Sequence, residues 1–375
     1  MFRKLGTAAL IAAFTLATTP SFACTGISLD AKDGGLVRGR TLEFGFPLSS
    51  NAIVVPAGTE MNGTLPDGKA GINYTTKFSM VGANAVGQQV IIDGINDQGL
   101  SFGLFYFPGF AEYPAVTFNN SSRAMAPFEF GAWVLGNFAS VDELKAGIQH
   151  AVVVDTPAPG FGSSPSHYFV RDKTGKSIVI EPIGGTLKVF EAPLGVITNA
   201  PAYDWHMTNL RNYLNLSVTS VPPLDLGGVM LTQLGQGAGM HGLPGDFTPP
   251  SRFIRAVAFT QSEVQASNAD EAVLKAFHIL NQFDIPLGSV RDKATGGTEL
   301  TQWTSVSDLK NLRWYFKTYD DQSIRMVDLK QAVEAAKGEP RTIKMESTQP
   351  VANASTNFMS GKQAADAPQG KAAAE

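Results

Sequence analysis

The chain has 375 residues, of which 43% are hydrophobic and 17% charged, and its formal net charge is −4. This composition is typical of a globular protein with a sizeable core. The sequence contains no basic block or stripe, which argues against a nucleic-acid partner. Beyond the N-terminal leader, no apolar run in the sequence is long enough to span a membrane.

Residues 1–23 have the features of a secretory signal peptide. A short basic start precedes an apolar run from Ala8 to Ala17, and the small residues Ser21 and Ala23 suit cleavage before Cys24. The apolar run is too short to form a transmembrane helix. We therefore predict that cleavage leaves Cys24 as the first residue of a periplasmic or secreted protein.

Strand-forming segments dominate the mature chain. Turn residues at Asn96–Gly99, Asp172–Gly175 and Asp320–Asp321 each separate two apolar stretches, which predicts three β-hairpins. Helical spacing or capping residues predict helices at four places: residues 127–138, a segment beginning at Ser140, residues 251–259 and residues 269–283. Strand meanders followed by pairs of helices indicate helices packed on antiparallel sheets, an α+β fold.

The mature chain divides most simply into one domain and a tail. Between Cys24 and residue 345 no linker-like stretch interrupts the sequence, so residues 24–345 are predicted to form a single domain. From about Glu346 the composition shifts to Ser, Thr, Gln, Asn, Ala and Lys. Such a segment has little to bury, and we predict a disordered, low-complexity tail over residues 346–375.

Cys24 is the only cysteine in the sequence, so it has no disulfide partner in its own chain. Three interpretations are open: a lipid anchor, an unpaired thiol, or a catalytic residue uncovered by cleavage. Lipoprotein leaders usually carry an aliphatic residue where this chain has Ser21, so no membrane anchor is expected. A new N-terminal cysteine would carry its own general base, because an α-amine has a pKa of about 7.7–8.0 against about 8.5 for a thiol.

The strand that follows Cys24 offers charged partners for a thiol. Arg38 and Arg40 are two residues apart, on one face of a predicted strand, and Glu43 follows closely. A buried arginine beside the sulfur would lower the pKa of the thiol. A carboxylate near the α-amine would orient that amine. An exposed pair of arginines on a strand is an equally good interpretation of the same pattern.

Two other patterns predict no cofactor and no metal. Gly237–Gly242 matches G-x-G-x-x-G but lacks the preceding strand and the following helix that dinucleotide binding needs, so a glycine-rich loop is predicted. The histidines do not have metal-ligand spacing, and each is expected to be structural or solvated: His150, His167, His206, His241 and His278. A cysteine–histidine dyad stays open, because nothing in the sequence selects one histidine.

Eight segments in this order resemble the choloylglycine hydrolase family: CTGISL, GRTLEF, DGINDQGL, GKSIVIEP, TNAPAYDW, GLPGDFTPPSRFIR, FHILNQFDIPLGS and LTQWTSV. That family contains the conjugated bile acid hydrolases and the penicillin V acylases. The resemblance covers roughly residues 24–330. It implies a catalytic domain with a four-layer αββα N-terminal nucleophile hydrolase fold, in which two stacked antiparallel sheets lie between helical layers. It also implies hydrolysis of a linear amide by an N-terminal cysteine, without a cofactor.

The resemblance further implies the site residues. They are Cys24 as the nucleophile, Arg40 beside its sulfur, Glu43, Asn199 as the oxyanion-hole side chain, Tyr106 as the second oxyanion donor through its backbone N–H, and Arg252 as the remaining site arginine. Glu43 stands where most members carry Asp, so its longer side chain must place the carboxylate differently. Tyr106 falls where penicillin V acylases often carry Tyr and bile acid hydrolases often carry Asn.

Aromatic residues cluster around the two site-forming stretches: Phe44, Phe46, Phe105, Tyr106, Phe107 and Phe110. About half of them are expected to fill the core, and Phe46, Phe105 and Phe110 are predicted to bind substrate. An aromatic pocket suits a phenoxyacetyl or fatty acyl group better than a rigid steroid. Together with the amide hydrolysis that the resemblance implies, this pocket predicts a small N-acyl amide as the substrate.

Penicillin V acylase-like activity is the leading interpretation, and N-acyl homoserine lactones are further candidate substrates. Conjugated bile acid hydrolysis is the alternative. A lipid-anchored periplasmic binding protein, which would use the pocket without chemistry, is the non-enzymatic alternative.

The segment Asn209–Leu231 is apolar, and two dipeptides, Pro222-Pro223 and Gly227-Gly228, disfavour a compact helix. We expect it to project as an extended arm. The matching segment in similar proteins clasps a neighbouring subunit, which implies a homotetramer, because a projecting apolar arm needs cover. The alternative is that the arm folds back on its own helices.

Overall fold

The computed structural model describes residues 23–160, 162–293, 296–355 and 358. The predicted signal peptide, apart from its last residue, Ala23, and most of the predicted tail lie outside these residues. The strands are β1 (Cys24–Asp30), β2 (Leu36–Phe44), β3 (Asn51–Val55), β4 (Glu60–Thr64), β5 (Ala70–Thr75), β6 (Met80–Ala83), β7 (Asp93–Asn96), β8 (Ser101–Tyr106), β9 (Ala124–Met125), β10 (Val152–Val153), β11 (Ser166–Arg171), β12 (Ser177–Ile183), β13 (Thr186–Glu191), β14 (Leu224–Leu226), β15 (Val229–Leu231), β16 (Val290–Arg291), β17 (Thr298–Asp308), β18 (Arg313–Thr318), β19 (Arg325–Asp328) and β20 (Arg341–Lys344). The α-helices are α1 (Phe130–Asn137), α2 (Val141–Gly147), α3 (Tyr203–Asn209), α4 (Pro249–Ser262), α5 (Ala269–Leu280) and α6 (Leu329–Ala336).

Two antiparallel sheets stack at the centre of the molecule. One has the strand order β1-β2-β17-β18-β19, with β16 added to β17, and the other has the order β13-β12-β11-β8-β7-β6-β3-β20. Side chains from both sheets meet in one buried cluster, which includes Leu42, Trp303 and Trp314 from the first sheet and Val81 and Ile95 from the second. The close contact of these apolar faces holds the sandwich together.

Helices cover the outer faces of both sheets. Helices α4 and α5 pack on β1, β2 and β17, where Phe253 and Phe277 join Ile27 in a buried cluster. Helix α1 packs on β7 and β8, with Phe130 and Phe102 in a second buried cluster. The layers therefore run helix, sheet, sheet, helix, which confirms the predicted αββα fold.

Local sequence signals predict the three hairpins and the helix starts at Ser140 and Asn268 correctly, whereas α4 begins at Pro249, before the predicted residue 251. The three predicted hairpins are β7–β8, β11–β12 and β18–β19. Asn268 caps α5 by accepting a hydrogen bond from the Glu271 N–H at 3.0 Å. Ser140 caps α2 in the same way, through the N–H of Glu143 at 3.2 Å. The Glu143 carboxylate accepts the N–H of Ala139 at 2.8 Å, one residue before the cap.

The predicted arm is a protruding hairpin. Strands β14 and β15 pair with each other, and every residue of both strands is exposed. The segment begins with the end of α3 and a 3-10 turn over Leu210–Tyr213, so its first part is helical rather than extended. The Gly237–Gly242 segment is a loop with a 3-10 turn at Ala238–Met240, as predicted.

The end of the domain returns to the sheet edge. Strand β20 pairs with β3 in an antiparallel arrangement, and Met345, which follows β20, is buried. Residues 346–355 are exposed. Across the part of the chain that the structure describes, no helix has the length and apolar character needed to cross a bilayer.

Candidate active site

Cys24 is the first residue of β1 and is placed by strand pairing on both sides. On one side, β2 pairs Cys24 with Leu42 and Gly26 with Arg40. On the other side, Gly26 forms an isolated antiparallel bridge with Ile197, through N–H···O contacts of 2.8 and 3.0 Å. Because residues two positions from an antiparallel bridge again face each other, this bridge brings Asn199 opposite Cys24.

Arg40 lies on the same sheet face as Cys24. Its strand partner is Gly26, two residues along β1 from the cysteine, and side chains two apart share a face. The guanidinium lies 4.4 Å from the ring centre of Phe105 and 5.3 Å from that of Trp303. Arg40 is fully buried, and its position between two aromatic rings holds a fixed positive charge beside the thiol.

Arg38 is equally buried but serves a different purpose. It forms a 2.5 Å ion pair with Asp93 of the second sheet. Asp93 also accepts hydrogen bonds from Ser305 Oγ at 2.6 Å and from Trp314 Nε1 at 3.0 Å. Because breaking a buried pair of this kind costs about 3–5 kcal/mol, this pair ties the two sheets together. The interpretation of an exposed pair of arginines is wrong for both residues.

The side-chain amide of Asn199 has one defined orientation. Its Oδ1 accepts hydrogen bonds from the Cys24 N–H and from Arg252 Nη2, each at 2.7 Å. Only the oxygen can accept these donors, so Nδ2 points the other way. There it donates to the backbone oxygen of Tyr106 at 2.8 Å. This bond uses one of the two N–H groups of the amide.

Arg252, in the first turn of α4, connects that helix to the start of β1. It is fully buried. Its Nη1 donates to the backbone oxygen of Cys24 and, at 2.9 Å, to Thr25 Oγ1, while Nε donates to the Phe247 oxygen at 2.8 Å. Burial lowers the pKa of Arg252, and nearby Glu43 and Cys24 oppose that shift. A rigid, multiply bonded guanidinium of this kind orients the groups around it.

Tyr106 ends β8 with its backbone turned toward Asn199. The next residue, Phe107, donates its N–H to the Pro165 oxygen at 2.8 Å. Alternate residues of an antiparallel strand direct their backbone groups to opposite sides. The N–H and C=O of Tyr106 therefore both face away from β11, to the side where Asn199 Nδ2 meets the carbonyl. The predicted oxyanion pair, Asn199 and Tyr106, comes together in the structure.

Glu43 is buried, and its partner is Thr301 of β17. Thr301 Oγ1 donates to Glu43 Oε1 at 2.9 Å. Burial raises the pKa of Glu43 to about 8, against the opposing effects of Arg252, Thr41, Thr301 and Arg40. The carboxylate thus lies close enough to the arginines to be influenced by their charge.

The Cys24 thiol has a raised pKa. Burial is the main cause, and Arg40 is the largest opposing influence. A hydrogen bond from the Glu43 N–H also lowers the pKa, while the Glu43 charge raises it. Arg40 lowers the pKa of the thiol, as predicted, but burial raises that pKa by more. The site therefore needs a general base to generate the thiolate.

Glu43 is expected to make the stability of the uncut chain depend on pH. Its folded pKa of about 8 exceeds the ordinary value of 4.5, so between these values the folded chain binds more protons than the unfolded chain. The free energy of unfolding should therefore fall as pH rises through this window, by on the order of 1.4 kcal/mol for each unit of pKa shift. Urea denaturation at about pH 5 and about pH 9 measures the decline, which Glu43→Gln should reduce. An identical decline in both proteins would contradict this assignment.

A cavity of about 340 Å³ opens beside Cys24. Cys24, Arg40 and Tyr106 form part of its wall, whereas Glu43, Asn199 and Arg252 are buried and do not line it. Most of the remaining lining is apolar: Leu42, Phe44, Phe46, Leu48, Ala85, Val86, Val90, Ile92, Leu104, Phe128, Ala158, Pro159 and Pro165. Such a lining favours an apolar ligand.

Of the three predicted substrate-binding phenylalanines, the cavity is lined by one. Phe46 lines the cavity as predicted. Phe105 is completely buried under Arg40, because strand alternation directs it away from its cavity-lining neighbours in β8. Its ring packs so closely on Gly26 that a Cβ there would lie 2.7 Å from it. Phe110 is 43% exposed and packs on Phe107 outside the cavity.

Sequence reasoning missed Gln302, which holds the cavity wall. Its side-chain nitrogen donates to the backbone oxygens of Phe46 at 2.7 Å and Phe44 at 3.3 Å. Its side-chain oxygen accepts the Leu48 N–H at 2.9 Å. Gln302 therefore fixes the loop that carries Phe46. Its place within the LTQWTSV motif was the only available signal.

The histidines have the surroundings expected of structural or solvated residues. Within the described ranges, no three His, Cys, Asp or Glu side chains are grouped so as to hold a metal ion. His167 and His206 are buried, whereas His278 is exposed. Burial lowers the pKa of His206 to about 4, which keeps its ring neutral at ordinary pH.

An αββα sandwich in which a sheet strand begins with a buried thiol, opposite a fixed amide donor, is the arrangement of the N-terminal nucleophile hydrolases. Residues 24–335 match the sequence model of the linear amide C–N hydrolases, choloylglycine hydrolase family. The chain belongs to this family, as the motifs predict, and is an amide hydrolase. The alternative of a non-catalytic binding protein is therefore not supported.

Three relatives illustrate the similarity. A bile salt hydrolase/transferase of Clostridium perfringens is 35% identical, over 82% of this chain and 92% of its own length. A penicillin V acylase of Pectobacterium atrosepticum is 25% identical, over 88% and 86%. The crystal structure of a mutant conjugated bile acid hydrolase from Clostridium perfringens superposes with a TM-score of 0.79, at 32% identity, over 88% of this chain and 99% of the other.

Proposed function

We propose that removal of a signal peptide before Cys24 produces a periplasmic or secreted enzyme whose nucleophile is the Cys24 thiol and whose general base is the Cys24 α-amine. The observation that carries this proposal is the position of Cys24, at the start of β1 and in the wall of an apolar cavity. Asn199 Oδ1 already accepts a hydrogen bond from the Cys24 nitrogen and would hold the freed amine.

In the first half of the reaction, the amine takes the thiol proton and the sulfur attacks the carbonyl carbon of the bound amide. The oxygen of the tetrahedral intermediate then carries the negative charge. We assign its stabilisation to Asn199 Nδ2 and the Tyr106 N–H, which face the same side of β8. Collapse breaks the C–N bond, and the leaving amine takes the proton from the α-ammonium group.

In the second half, water attacks the acyl thioester. The α-amine accepts the proton of the water, and the same two donors stabilise the second oxyanion. Breakdown releases the carboxylic acid and returns the proton to the sulfur. Arg40 favours the thiolate, Arg252 holds Asn199, and Glu43 is assigned to orienting the ammonium group, whose positive charge would lower the raised carboxyl pKa.

The cavity supports an N-acyl amide with an apolar acyl group. Phe44, Phe46 and Tyr106 form an aromatic wall, with the rings of Phe44 and Phe46 in an edge-to-face pair at 4.7 Å and those of Phe44 and Tyr106 at 6.3 Å. A phenoxyacetyl group or a fatty acyl chain fits such a wall. Penicillin V and N-acyl homoserine lactones are therefore the proposed substrates.

Conjugated bile acids are the second candidate, for a separate reason. The relative that is named a bile salt hydrolase/transferase has the higher identity, 35% against 25% for the penicillin V acylase. The cavity also has aliphatic walls, which include Leu48, Val90 and Ile92. A steroid skeleton would contact such walls favourably.

A substrate panel tests both candidates. The kcat/KM of the mature protein would be measured for penicillin V, acyl homoserine lactones, and glycine and taurine conjugates of bile acids, with Cys24→Ala as the control. Preference for penicillin V supports the leading proposal, and preference for bile acid conjugates supports the second. Turnover no faster than that of Cys24→Ala for every substrate would contradict the proposed function.

We also propose a homotetramer held together by the arm. The hairpin of β14 and β15 exposes Leu224, Leu226, Val229, Met230 and Leu231 to between 48% and 61% of their full area. An apolar patch of this kind usually marks an interface. Replacement of residues 222–233 by a short glycine–serine linker should convert the tetramer to monomers in light scattering. A wild-type protein that is monomeric at every concentration would contradict the proposal.

A further inference from the structure

Two buried histidines lie behind the Thr198–Asn199 segment and have no part in the proposed chemistry. His167, on β11, places Nε2 3.1 Å from the Thr198 oxygen. His206, on α3, places Nε2 2.9 Å from the Asn199 oxygen. Each histidine is only 2% exposed. The backbone carbonyls of Thr198 and Asn199 are thus each bound by one imidazole, and the two imidazoles come from different elements.

The hydrogen-bond pattern shows which nitrogen of each imidazole is the donor. A backbone carbonyl oxygen only accepts, so Nε2 of both histidines carries a hydrogen. Nδ1 of His167 lies 3.0 Å from Glu181 Oε1, which also accepts the Tyr203 N–H at 3.0 Å. Glu181 therefore anchors the ring of His167 and, at the same time, the first turn of α3, from which His206 projects.

Stacking fixes the planes of both rings. His167 stacks on Phe107 with ring centres 4.3 Å apart and an 8° interplanar angle. His206 stacks on Phe253 at 4.8 Å and 17°. Phe107 follows Tyr106 in the sequence, and Phe253 follows Arg252. The two imidazoles therefore connect the Thr198–Asn199 backbone to the segments that carry Tyr106 and Arg252, two of the three partners of the Asn199 side chain.

We propose that His167 and His206 are positioning residues, which hold the Thr198–Asn199 backbone so that the Asn199 amide is aimed at the oxyanion. This inference rests on the proposed function. An oxyanion donor contributes only when it is already at the right distance before the charge develops. A displacement of about 1 Å in such a group can cost about 10²-fold in rate. We call this pair of histidines the clamp. The clamp acts through Asn199 and does not touch substrate.

His206→Phe tests the clamp, because it keeps an aromatic ring on Phe253 but removes the donor to Asn199. We expect kcat to fall roughly 10- to 100-fold, with a much smaller change in KM, since the lost alignment acts on the transition state. His206→Gln keeps an N–H donor and should recover part of the loss. His278→Phe, at an exposed position on α5, is the matched control and should keep wild-type kcat.

The rate of Cys24 alkylation by iodoacetamide separates a positioning role from general damage to the site. A variant of either histidine should lose much less in its rate of alkylation than in kcat, because alkylation of the thiol forms no oxyanion. A wild-type kcat in His206→Phe would overturn the proposal. So would parallel losses of kcat and alkylation that His206→Gln does not rescue. Failure of the proposed function itself would appear differently, as wild-type turnover that does not depend on Cys24.

Discussion

A chain that retains Ala23 in front of Cys24 should have at least 10²-fold lower amidase activity than the mature protein. The nitrogen of an internal Cys24 is a peptide nitrogen, which cannot take a proton at neutral pH. General acid–base catalysis contributes about 10²–10⁴-fold, so its loss sets the size of the effect. The buried thiol cannot compensate, because burial raises its pKa despite nearby Arg40.

The measurement compares a cytoplasmic form that keeps residues 1–23 with the exported form, under identical assay conditions. Intact-mass spectrometry supplies the control, because an active preparation should begin at an unmodified Cys24. A diacylglycerol increment on Cys24 would contradict both the free amine and the expected absence of a membrane anchor. Full activity with residues 1–23 attached would contradict the proposed base.

Asn199→Ala should lower kcat by roughly 10²–10³-fold with a smaller change in KM. The amide orientation in the structure explains the expectation. Arg252 and the Cys24 nitrogen hold Oδ1, so Nδ2 is directed to the side of β8 on which we place the oxyanion. A donor that strengthens only as the oxygen becomes charged affects the chemical step more than substrate binding.

Asn96→Ala is the matched control for this substitution. Asn96 is also a buried asparagine, but its Nδ2 bonds to the Leu135 and Phe138 oxygens at the end of α1, each at 2.8 Å. Both variants lose buried hydrogen bonds, at a cost of about 1–3 kcal/mol in stability. Only Asn199→Ala should also lose most of its kcat. A near-normal kcat in Asn199→Ala would remove Asn199 from the oxyanion hole.

Glu43 illustrates how a longer side chain is accommodated in this site. Strands β2 and β17 pair Glu43 with Thr301, and a register irregularity follows between Thr301 and Trp303. The Thr301 hydroxyl holds one carboxylate oxygen. The sequence predicts that Glu43 must place its carboxylate differently from Asp, and the structure identifies Thr301 as its hydrogen-bond partner. That partner is 258 residues away along the chain.

Local rules were sufficient for the three hairpins, for the helix starts at Ser140 and Asn268, and for the α+β class of the fold. The turns at Asn96–Gly99 and Asp172–Gly175 and the caps at Ser140 and Asn268 depend on residues within a few positions of each other. Such short-range preferences can be recognised in a single sequence. The spacing of the family motifs around Cys24 was likewise sufficient to name the candidate site residues.

Only the tertiary structure decided which of several similar side chains enter the site. Arg38 and Arg40 share a strand face, but Arg38 pairs with Asp93 whereas Arg40 lies beside Cys24. The reason is that the second sheet presents different residues opposite these two arginines. Among the aromatic residues, Phe46 lines the cavity while Phe105 is buried under Arg40. Long-range register and packing set these outcomes, and no local pattern records them.

The clearest case is the approach of Asn199 to Cys24. The sequence determined that both residues belong to family motifs, 175 positions apart. Their contact arises from the single antiparallel bridge between Gly26 and Ile197, which aligns the two segments two residues further on. No local sequence signal predicts such a bridge, because its backbone hydrogen bonds join segments that lie far apart along the chain. The sequence therefore determined the residue types of the site, and the packed fold determined their distances and orientations.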